Sequence, residues 1–328
     1  MSLISRRKML AGVSLLPATG LVPSLVQAAA PAIGSQAAGW YRYKIGDIEI
    51  TVVSDGTGKF KFSDTHVINK SRADINAALV DAFYEPDLMQ TPYNPVVINT
   101  GTKLIALDPG VGEAAHKTSK GAVGQFLTNL TAAGIDRNAI DIVLISHFHG
   151  DHINGILGAD GKPAFPNAEV MVPAGEWTYF MNDGEMSRAP AGRMTDVFQN
   201  ARRVFDAIGR KVTPYDAGKD VVPGVTAVAT PGHSFGHSSH IVSSGSAKVY
   251  IQADVTHVPY LFARNPGWHA FYDQDPQMAE ATRRKVYDML VAERMAVQGF
   301  HYPFPALAHV ERTATGYREV PMQWSTAL

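Results

Sequence analysis

Cysteine is absent from this chain of 328 residues. Without a thiol, the protein can form no disulfide, hold no metal ion through a thiolate and attack no substrate with a cysteine nucleophile. Any metal ion must therefore be bound by imidazole and carboxylate groups. Such a set of ligands suits zinc and similar divalent ions.

An excess of charge of either sign is also absent. Lys and Arg number 29 and Asp and Glu number 30, which gives a formal net charge of −1. Proteins that bind nucleic acid usually carry a strongly basic surface, so this balance predicts no nucleic-acid partner. Hydrophobic residues make up 45% of the chain and charged residues 18%, as in a globular protein with a sizeable core.

A long uninterrupted apolar run is missing too. The nearest approach is the segment 11–26, which follows the basic pair Arg6-Arg7 and precedes three alanines at 28–30. Prolines and a glycine interrupt this segment, and it is short for a membrane span. The pattern instead resembles a twin-arginine export signal. We therefore predict that residues 1–30 are cleaved, that residues 31–328 form one domain without a membrane span, and that the protein is periplasmic or secreted.

The remainder of the chain alternates short apolar segments with loops rich in glycine and proline. Period-two patterns and short apolar runs predict strands at 47–53, 95–99, 103–107, 142–145, 168–172, 225–229, 247–251 and 296–300. Two helices are predicted, at 125–133 before Gly134 and at 277–293 after the capping pair Asp275-Pro276. Strands that first form hairpins and then alternate with helices predict an α/β (α+β) fold in which helices cover sheets.

The six residues 147–152 read His-Phe-His-Gly-Asp-His and directly follow the predicted strand 142–145. Four side chains that can bind a metal ion therefore fall within six positions at the end of one strand. A lone histidine after a strand is more often a hydrogen-bonded loop residue, but four candidate ligands in this spacing indicate a metal site. The motif predicts a metal-dependent hydrolase.

Three further candidate ligands also follow predicted strands. His233 follows the strand at 225–229, Asp254 follows an apolar segment at 249–253, and His301 follows the strand at 296–300. Each of them alone has a plainer interpretation as a loop or capping residue. Since strand ends hold side chains rigidly, as metal binding requires, the four strand ends together predict a single site.

The order of these residues resembles the metallo-β-lactamase superfamily, with its His-x-His-x-Asp-His motif, Pro-Gly-His turn, Asp after a strand and late His. The resemblance spans residue 40 to the C-terminus and implies an αββα sandwich with two metal ions at one edge of its sheets. By position, it implies that His147, His149 and His233 bind one ion, that Asp151, His152 and His301 bind the other, and that Asp254 bridges both. On the sequence alone, His237 remains an alternative to His233. Zinc is expected, while Mn²⁺, Co²⁺ and Fe²⁺ are left open.

Other motifs resemble one group within that superfamily. Asp108, in Leu-Asp-Pro-Gly, matches a turn whose Asp orients a ligand histidine without binding the metal. The segments 164–168, 301–305 and 316–321, together with the export signal, resemble the methyl parathion hydrolase group, which is lactonase-like. This resemblance implies activity on lactones, aryl esters or organophosphate triesters.

The predicted chemistry follows from two metal ions. They imply a bridging hydroxide as nucleophile, because divalent ions lower the pKa of bound water. Asp151 and Asp254 are then the catalytic carboxylates, the first as a ligand that can also take a proton and the second as the bridge. The candidates for a substrate pocket are His257, Trp177, Phe180, Tyr260 and Phe262, although aromatic clusters are more often part of the core.

The sequence thus predicts a dinuclear metal-dependent hydrolase of lactones or esters, with phosphotriesterase activity as a further expectation. One alternative is a cysteine-free metallo-β-lactamase, against which Asp254 argues because those enzymes usually lack an Asp bridge there. The other is a periplasmic metal-binding protein without catalysis, against which the complete set of ligands argues. The partner is a small molecule, and a homodimer is expected by analogy alone.

Overall fold

The computed structural model describes Gly34 and residues 36–328. The predicted export signal, residues 1–30, lies outside the described residues. Residues 38–328 form one compact unit. Within the part of the chain that the structure describes, no helix combines the length and apolar character that a membrane span requires.

The strands are numbered in chain order. The first eight are β1 (Trp40–Ile45), β2 (Ile48–Val53), β3 (Gly56–Lys61), β4 (Leu88–Tyr93), β5 (Val96–Asn99), β6 (Leu104–Leu107), β7 (Ile142–Leu144) and β8 (Glu169–Pro173). The rest are β9 (Thr213–Tyr215), β10 (Asp220–Val222), β11 (Val225–Ala229), β12 (Ser238–Ser244), β13 (Ala247–Ala253), β14 (Ala296–Gly299), β15 (Leu307–Arg312) and β16 (Tyr317–Pro321).

The helices are α1 (Arg72–Asp81), α2 (Ala114–Thr118), α3 (Phe126–Ala132), α4 (Gly150–Ile153), α5 (Ala174–Phe180), α6 (Asp183–Arg188), α7 (Arg193–Ala207), α8 (Pro259–Phe262) and α9 (Pro276–Glu293). Short 3₁₀ turns occur at Arg137–Ala139 and Asn154–Ile156. Helix α9 begins as the sequence predicts, because the Asp275 side chain accepts hydrogen bonds from the backbone N–H groups of Gln277 and Met278.

The strands pair into two large sheets. One sheet has the order β1-β2-β5-β6-β7-β8-β9 and the other β10-β11-β12-β13-β14-β15-β16. Their facing sides share one hydrophobic core, to which alternate residues of a strand contribute, such as Val96 and Ile98 from β5 and Val249 and Ile251 from β13. This alternation follows from the period of two in an extended chain.

Helices cover the outer face of each sheet. Val97 and Val143 of the first sheet pack in a second core with residues of α3, α5 and α7, including Phe126, Phe180 and Phe205. Tyr250 and Val297 of the second sheet pack in a third core with residues of α9. The layers are therefore helix, sheet, sheet and helix, and the predicted αββα sandwich is confirmed.

A smaller element lies beside the sandwich. The hairpin β3-β4, helix α1 and helix α8 share a fourth core that includes Phe62, Leu79, Met89 and Phe262. The sequence analysis predicted none of these elements. They matter for function because α8 follows closely after Asp254, one of the predicted metal ligands.

Candidate metal centre

The predicted ligands meet at the edge where strands of both sheets end. Residues 147–152 follow β7 of the first sheet, whereas His233, Asp254 and His301 follow β11, β13 and β14 of the second. A backbone hydrogen bond of 3.1 Å from Ser238 N–H to Ser146 C=O joins the two sheets beside the site. Strands β11, β13 and β14 run in the same direction, because β12 is antiparallel to both β11 and β13 and β14 is parallel to β13. Their carboxyl ends therefore lie at one edge, and residues far apart in the chain become neighbours in space.

The first group of candidate ligands consists of His147, His149, His233 and Asp254, all of which are buried. His149 Nδ1 lies 3.0 Å from His147 Nε2 and 2.8 Å from His233 Nε2. His233 Nε2 lies 3.1 Å from Asp254 Oδ2. Three imidazole nitrogens and one carboxylate oxygen thus face a common point.

The second group consists of Asp151, His152, Asp254 and His301. Helix α4 begins immediately after His149 and places Asp151 and His152 on its first turn. Asp151 Oδ2 lies 3.6 Å from His152 Nε2 and 3.4 Å from His301 Nε2. The Asp151 side chain is 24% exposed, against 2% or less for the other three, so the site opens to solvent on the Asp151 side.

Asp254 belongs to both groups. Its Oδ2 lies 3.1 Å from His233 Nε2 in the first group, and its Oδ1 lies 3.2 Å from His152 Nε2 in the second. His301 Nε2 of the second group lies 3.3 Å from both oxygens, so the carboxylate stands between the two groups. A carboxylate placed in this way can bridge two divalent ions.

The donor atoms fit metal ions better than they fit one another. His152 Nε2 and Asp254 Oδ1 are buried, and neither has a hydrogen-bond partner among the described residues. Leaving such groups unpaired costs about 1–3 kcal/mol each, a cost that coordination to a cation removes. Five imidazoles and two carboxylates with ligand atoms within 4.8 Å of one another in each group make a nitrogen and oxygen set suited to two divalent ions.

The far nitrogen of most of these histidines is fixed by a neighbouring oxygen. Distances are 2.9 Å from His152 Nδ1 to Asp108 Oδ2, 2.8 Å from His233 Nδ1 to Asp273 Oδ1 and 2.8 Å from His301 Nδ1 to Pro92 C=O. His147 Nδ1 lies 3.0 Å from Ser146 Oγ. Such contacts set the ring orientation and leave the opposite nitrogen to face the metal. Asp108 thus has the contact that the resemblance implied for it.

Two strand ends carry backbone strain at this site. Asp108, at the end of β6, has a φ of 52°, and Ala253, the last residue of β13, has a φ of 48°. Residues other than glycine occupy this left-handed region only at a cost in free energy. At Ala253 the unusual φ turns the chain sharply just before Asp254.

The turn that presents His233 requires glycine at position 232. Gly232 has a φ of 130°, and a Cβ there would lie 2.3 Å from the backbone nitrogen of Ala279. Helix α9 therefore packs directly against the Pro-Gly-His turn. A side chain at this position would push the turn, and His233 with it, away from the other ligands.

The structure decides between His233 and His237. His237 uses both ring nitrogens within the scaffold, since Nδ1 lies 2.8 Å from Thr230 Oγ1 and Nε2 accepts a 3.1 Å hydrogen bond from the Asp254 backbone N–H. It has no nitrogen left for a metal ion. His237 instead fixes the backbone of Asp254, while His233 faces the other ligands.

The charges of the site are strongly coupled. Burial alone would raise the pKa of Asp254, but the nearby His301, His152 and His233 outweigh burial and hold this pKa well below its usual range. Burial lowers the pKa of His147 well below its usual value, and the neighbouring histidines lower it further. A carboxylate at 254 and a neutral imidazole at 147 are the forms that bind metal ions.

Glu176, which the sequence analysis missed, connects two of the ligand loops. This fully buried carboxylate of α5 accepts hydrogen bonds from Phe148 N–H at 2.9 Å, Ser234 Oγ at 2.7 Å and Gly236 N–H at 2.8 Å. Burial raises its pKa, although these three hydrogen bonds oppose that effect. Glu176 thereby ties the loop of His147–His152 to the loop of His233.

The predicted substrate pocket needs correction. Phe180 is fully buried and Trp177 is partly buried, and both pack with Phe148 in the core under the helices of the first sheet. Tyr260 is buried, donates a hydrogen bond to Gln90 C=O and lines a cavity with residues of α1 instead. These three side chains therefore do not face the metal-binding groups. They are apolar or amphipathic and pack in the hydrophobic cores of neighbouring elements.

His257 and Phe262 lie closer to the site. The His257 ring stacks on His301 at 3.8 Å between centroids and on Tyr272 at 4.7 Å. Its Nδ1 is buried and has no hydrogen-bond partner in residues 36–328. Phe262 is fully buried behind His257 and Tyr272, so it supports His257 and cannot itself contact a substrate.

A cavity that the sequence analysis did not predict adjoins the first group. It has a volume of about 390 Å³ and is lined by Tyr179, Pro190, Ala191, Arg193, Met194, Phe235, Phe271, Asp273 and Gln274. Arg193 Nη2 lies 3.1 Å from His149 Nε2. No spacing in the sequence pointed to Arg193, Asp273 or Glu176, because each reaches the ligands from a different loop or helix.

Comparison with known proteins gives a family for this arrangement. A model of the metallo-beta-lactamase superfamily matches residues 89–292, which is more than half of the chain. The match includes six of the seven predicted ligands, and His301 lies just beyond it.

Individual relatives are similar over most of their length. An N-acyl homoserine lactonase of Bacillus thuringiensis is 22% identical over 218 residues, 63% of this chain and 76% of that protein. The solved structure of AidC, a dizinc quorum-quenching lactonase in complex with a product, superposes with a TM-score of 0.80 and 25% identity, covering 88% of this chain and 99% of that one. The hydrolase AbOPH superposes with a TM-score of 0.80 and 26% identity, covering 89% of this chain and 100% of that one.

The family match, the αββα layers and the two groups of ligands at one sheet edge agree with the resemblance found in the sequence. The chain belongs to the metallo-β-lactamase superfamily of metal-dependent hydrolases.

Proposed function

We propose that this protein is a dinuclear metal-dependent hydrolase that opens lactones, with aryl esters and phosphotriesters as further substrates. The observation that carries the proposal is the position of Asp254 between the two groups, with Oδ2 at 3.1 Å from His233 Nε2 and Oδ1 at 3.2 Å from His152 Nε2. The lactonases among the relatives support the choice of a lactone substrate. The motifs that resemble the methyl parathion hydrolase group support aryl esters and phosphotriesters as further substrates.

In this proposal His147, His149 and His233 hold one ion, Asp151, His152 and His301 hold the other, and Asp254 holds both. When bound, two such ions lower the pKa of water and polarise a carbonyl or phosphoryl oxygen. Zinc is the proposed metal, since the ligands are imidazoles and carboxylates. The oxygen atoms that contact the far ring nitrogens, such as those of Asp108 and Asp273, keep the histidine rings oriented toward the ions.

Asp151 is proposed to handle the proton. Its Oδ2 faces His152 and His301, and its side chain is the most exposed of the seven ligands. An exposed carboxylate beside the opening can accept a proton from the attacking water and pass it to solvent or to the leaving oxygen. Asp254 cannot take this role, because both of its oxygens face ligand histidines.

His257 is proposed to contact the substrate. It lies against His301 on the side of the second group, and its buried Nδ1 lacks a partner among the described residues. A substrate oxygen or nitrogen beside the second group would supply that partner. The hydrophobic support from Phe262 holds the ring in place.

The test is a hydrolysis panel on protein reconstituted with zinc or with manganese. The substrates are an N-acyl homoserine lactone, an aromatic lactone, an aryl ester, a methyl phosphotriester and the β-lactam nitrocefin. We expect the highest kcat/KM for a lactone and no hydrolysis of nitrocefin. Two bound metal ions per chain without turnover of any lactone would refute the proposal, and a preference for nitrocefin would replace it with a β-lactamase.

We also propose that the protein is exported to the periplasm or beyond. The support is the basic, apolar and small-residue pattern of residues 1–30. Cell fractionation followed by N-terminal sequencing tests this. A cytoplasmic protein that retains residues 1–30 would contradict it.

A further inference from the structure

Arg193 is placed where a helix does not favour a cation. It is the first residue of α7, a helix of 15 residues whose N-cap, Gly192, provides no side-chain cap. The N-terminus of a helix carries partial positive charge, so an arginine there is electrostatically unfavourable. An arginine at this position therefore does not stabilise the helix, and its role has to be sought in what its side chain contacts.

Among residues 36–328, no carboxylate lies within ion-pair distance of the Arg193 guanidinium. Its polar contact is the 3.1 Å approach to His149 Nε2. The Phe271 ring lies under the guanidinium, 5.7 Å from its centre. The nearby Asp273 binds His233 through Oδ1 at 2.8 Å, and its Oδ2 lies 3.6 Å from Arg283 without a hydrogen bond among the described residues. The positive charge of Arg193 is thus available to a ligand.

The contact between Arg193 and His149 Nε2 cannot be a hydrogen bond while His149 binds a metal ion through Nδ1. His149 presents Nδ1 to His147 and His233, so Nδ1 is the atom that would bind an ion. A neutral histidine bound through one nitrogen carries its proton on the other. His149 Nε2–H and the guanidinium N–H of Arg193 would then be two donors facing each other. In that state Arg193 gains no hydrogen bond from His149, and its N–H groups are left for a ligand in the adjoining cavity, which Arg193 already lines.

The cavity beside Arg193 is suited to an apolar group that ends in an anion. Tyr179, Met194, Phe235 and Phe271 supply apolar walls. Phe235 and Phe271 are 47% and 43% exposed, and exposed aromatic side chains around a cavity are typical of binding sites. Arg193 lines this cavity and also contacts His149 of the first metal-binding group.

We propose that Arg193 is a product-binding residue that holds the carboxylate formed when a lactone opens. This inference rests on the proposed function and deepens it. In that reaction one water is consumed, the ring C–O bond breaks, the ring oxygen leaves as a hydroxyl and the acyl carbon becomes a carboxylate with release of one proton. The guanidinium receives the carboxylate as it leaves the metal centre, and the apolar walls hold the chain attached to it.

The test measures binding of hexanoate and of uncharged hexanamide to the zinc-loaded protein by isothermal titration calorimetry. Because zinc itself binds carboxylates, wild type is compared with Arg193→Gln and Arg193→Lys. We expect Arg193→Gln to weaken hexanoate binding about tenfold or more, as loss of a charge-assisted contact predicts. Hexanamide binding should change little. Arg193→Lys should retain part of the affinity for hexanoate, because the charge remains.

The matched control is Arg203→Gln on the same helix, whose side chain bonds to Asn154 and Asn200 instead. It should bind hexanoate as wild type does. Zinc content is measured for every protein, and Arg193→Lys carries the comparison if Arg193→Gln loses metal. Equal affinity for hexanoate in wild type and both Arg193 variants at full zinc content would overturn the inference. Weakened binding in Arg193→Gln, with no lactone turnover by wild type, would uphold the anion site and refute the proposed lactonase.

Discussion

At the scale of single residues, the structure separates side chains that face the metal-binding groups from those that hold them. His233 and His237 are four positions apart and both are buried, yet only His233 has a free ring nitrogen directed at the other ligands. The difference lies in their hydrogen-bond partners. Asp273 leaves Nε2 of His233 free, whereas Thr230 and the Asp254 backbone occupy both nitrogens of His237.

Asp254 gives the most direct test at this scale. We expect Asp254→Ala to lower metal content below two ions per chain and to reduce kcat/KM for a lactone about a hundredfold or more, because several kcal/mol of electrostatic stabilisation is lost. Asp254→Asn keeps the shape but loses the charge and should also lose metal. Metal analysis and steady-state kinetics provide the readouts. Asp216→Asn, at an exposed pair with Lys219, is the control, and full metal content with normal turnover in Asp254→Ala would refute the bridging role.

His66 predicts a pH dependence of stability that does not involve the metal ligands. It is 2% exposed among Phe60, Phe62 and Phe271, and burial lowers its pKa to about 4. An unfolded histidine has a pKa of about 6.5. Between these values the unfolded chain binds a proton that the folded protein does not, so His66 makes the protein less stable as the pH falls from about 6.5 to about 4.

Replacement of His66 by phenylalanine should remove this contribution. Between about pH 8 and about pH 5, the His66→Phe variant should gain about 2 kcal/mol in free energy of unfolding relative to wild type. Urea unfolding of both proteins at the two pH values measures the difference, in which effects of metal-ligand protonation cancel. Parallel pH dependences would contradict the prediction.

At the scale of elements, the ends of strands and the first turns of helices build the site. Strand β7 leads into α4, and β13 ends in the strained Ala253 before Asp254. The strands at 225–229 and 247–253 and the helix at 277–293 were readable from the sequence because their apolar periodicity and capping residues are local. Strands β1 and β12 and the β3-β4 hairpin were missed, because their patterns are weaker and depend on packing against distant residues. Helix α7 was also missed, although its buried residues recur at helical spacing.

Glu176 in α5 joins two of these elements and can be tested by stability. Glu176→Ala leaves two backbone N–H groups and the Ser234 hydroxyl without their acceptor. Each loss costs about 1–3 kcal/mol, so we expect the free energy of unfolding to fall by about 3 kcal/mol or more in urea denaturation. Glu185→Ala, which removes a surface pair with Arg188, should cost no more than about 1 kcal/mol. Similar losses in the two variants would show that Glu176 does not tie the loops together.

At the scale of the whole molecule, the metal centre lies where the two sheets meet. Its ligands come from the ends of β7, β11, β13 and β14, so bound ions connect both halves of the sandwich. The superfamily and the αββα layers predicted from the sequence are confirmed. The export signal, the homodimer and the likeness to the methyl parathion hydrolase group stay predictions.

Removal of metal should therefore destabilise the entire fold. A ligand that binds only the folded state adds about 2.7 kcal/mol when its free concentration is a hundred times its Kd. For a domain of this size, we expect the Tm to fall by about 5 °C or more after chelation and to recover when zinc is added back. Calorimetry measures the Tm of wild type and of Asp254→Asn before and after chelation. The Tm of the variant should fall less, because the variant should bind less metal. An identical Tm with and without metal in wild type would contradict this expectation.

The sequence by itself indicated the candidate ligands, with His233 and His237 left as alternatives, since His147, His149, Asp151 and His152 are close in the chain and the strands that precede the others have strong local patterns. Tertiary structure alone decided that Asp254 lies between the two groups, that His233 and not His237 faces the other ligands, and that Trp177, Phe180 and Tyr260 belong to cores. It also brought Glu176, Arg193 and Asp273 to the site. The physical reason is the range of the interactions. Local periodicity and capping act over a few residues, whereas these contacts join loops and helices tens of residues apart, and their geometry exists only after the two sheets have packed together.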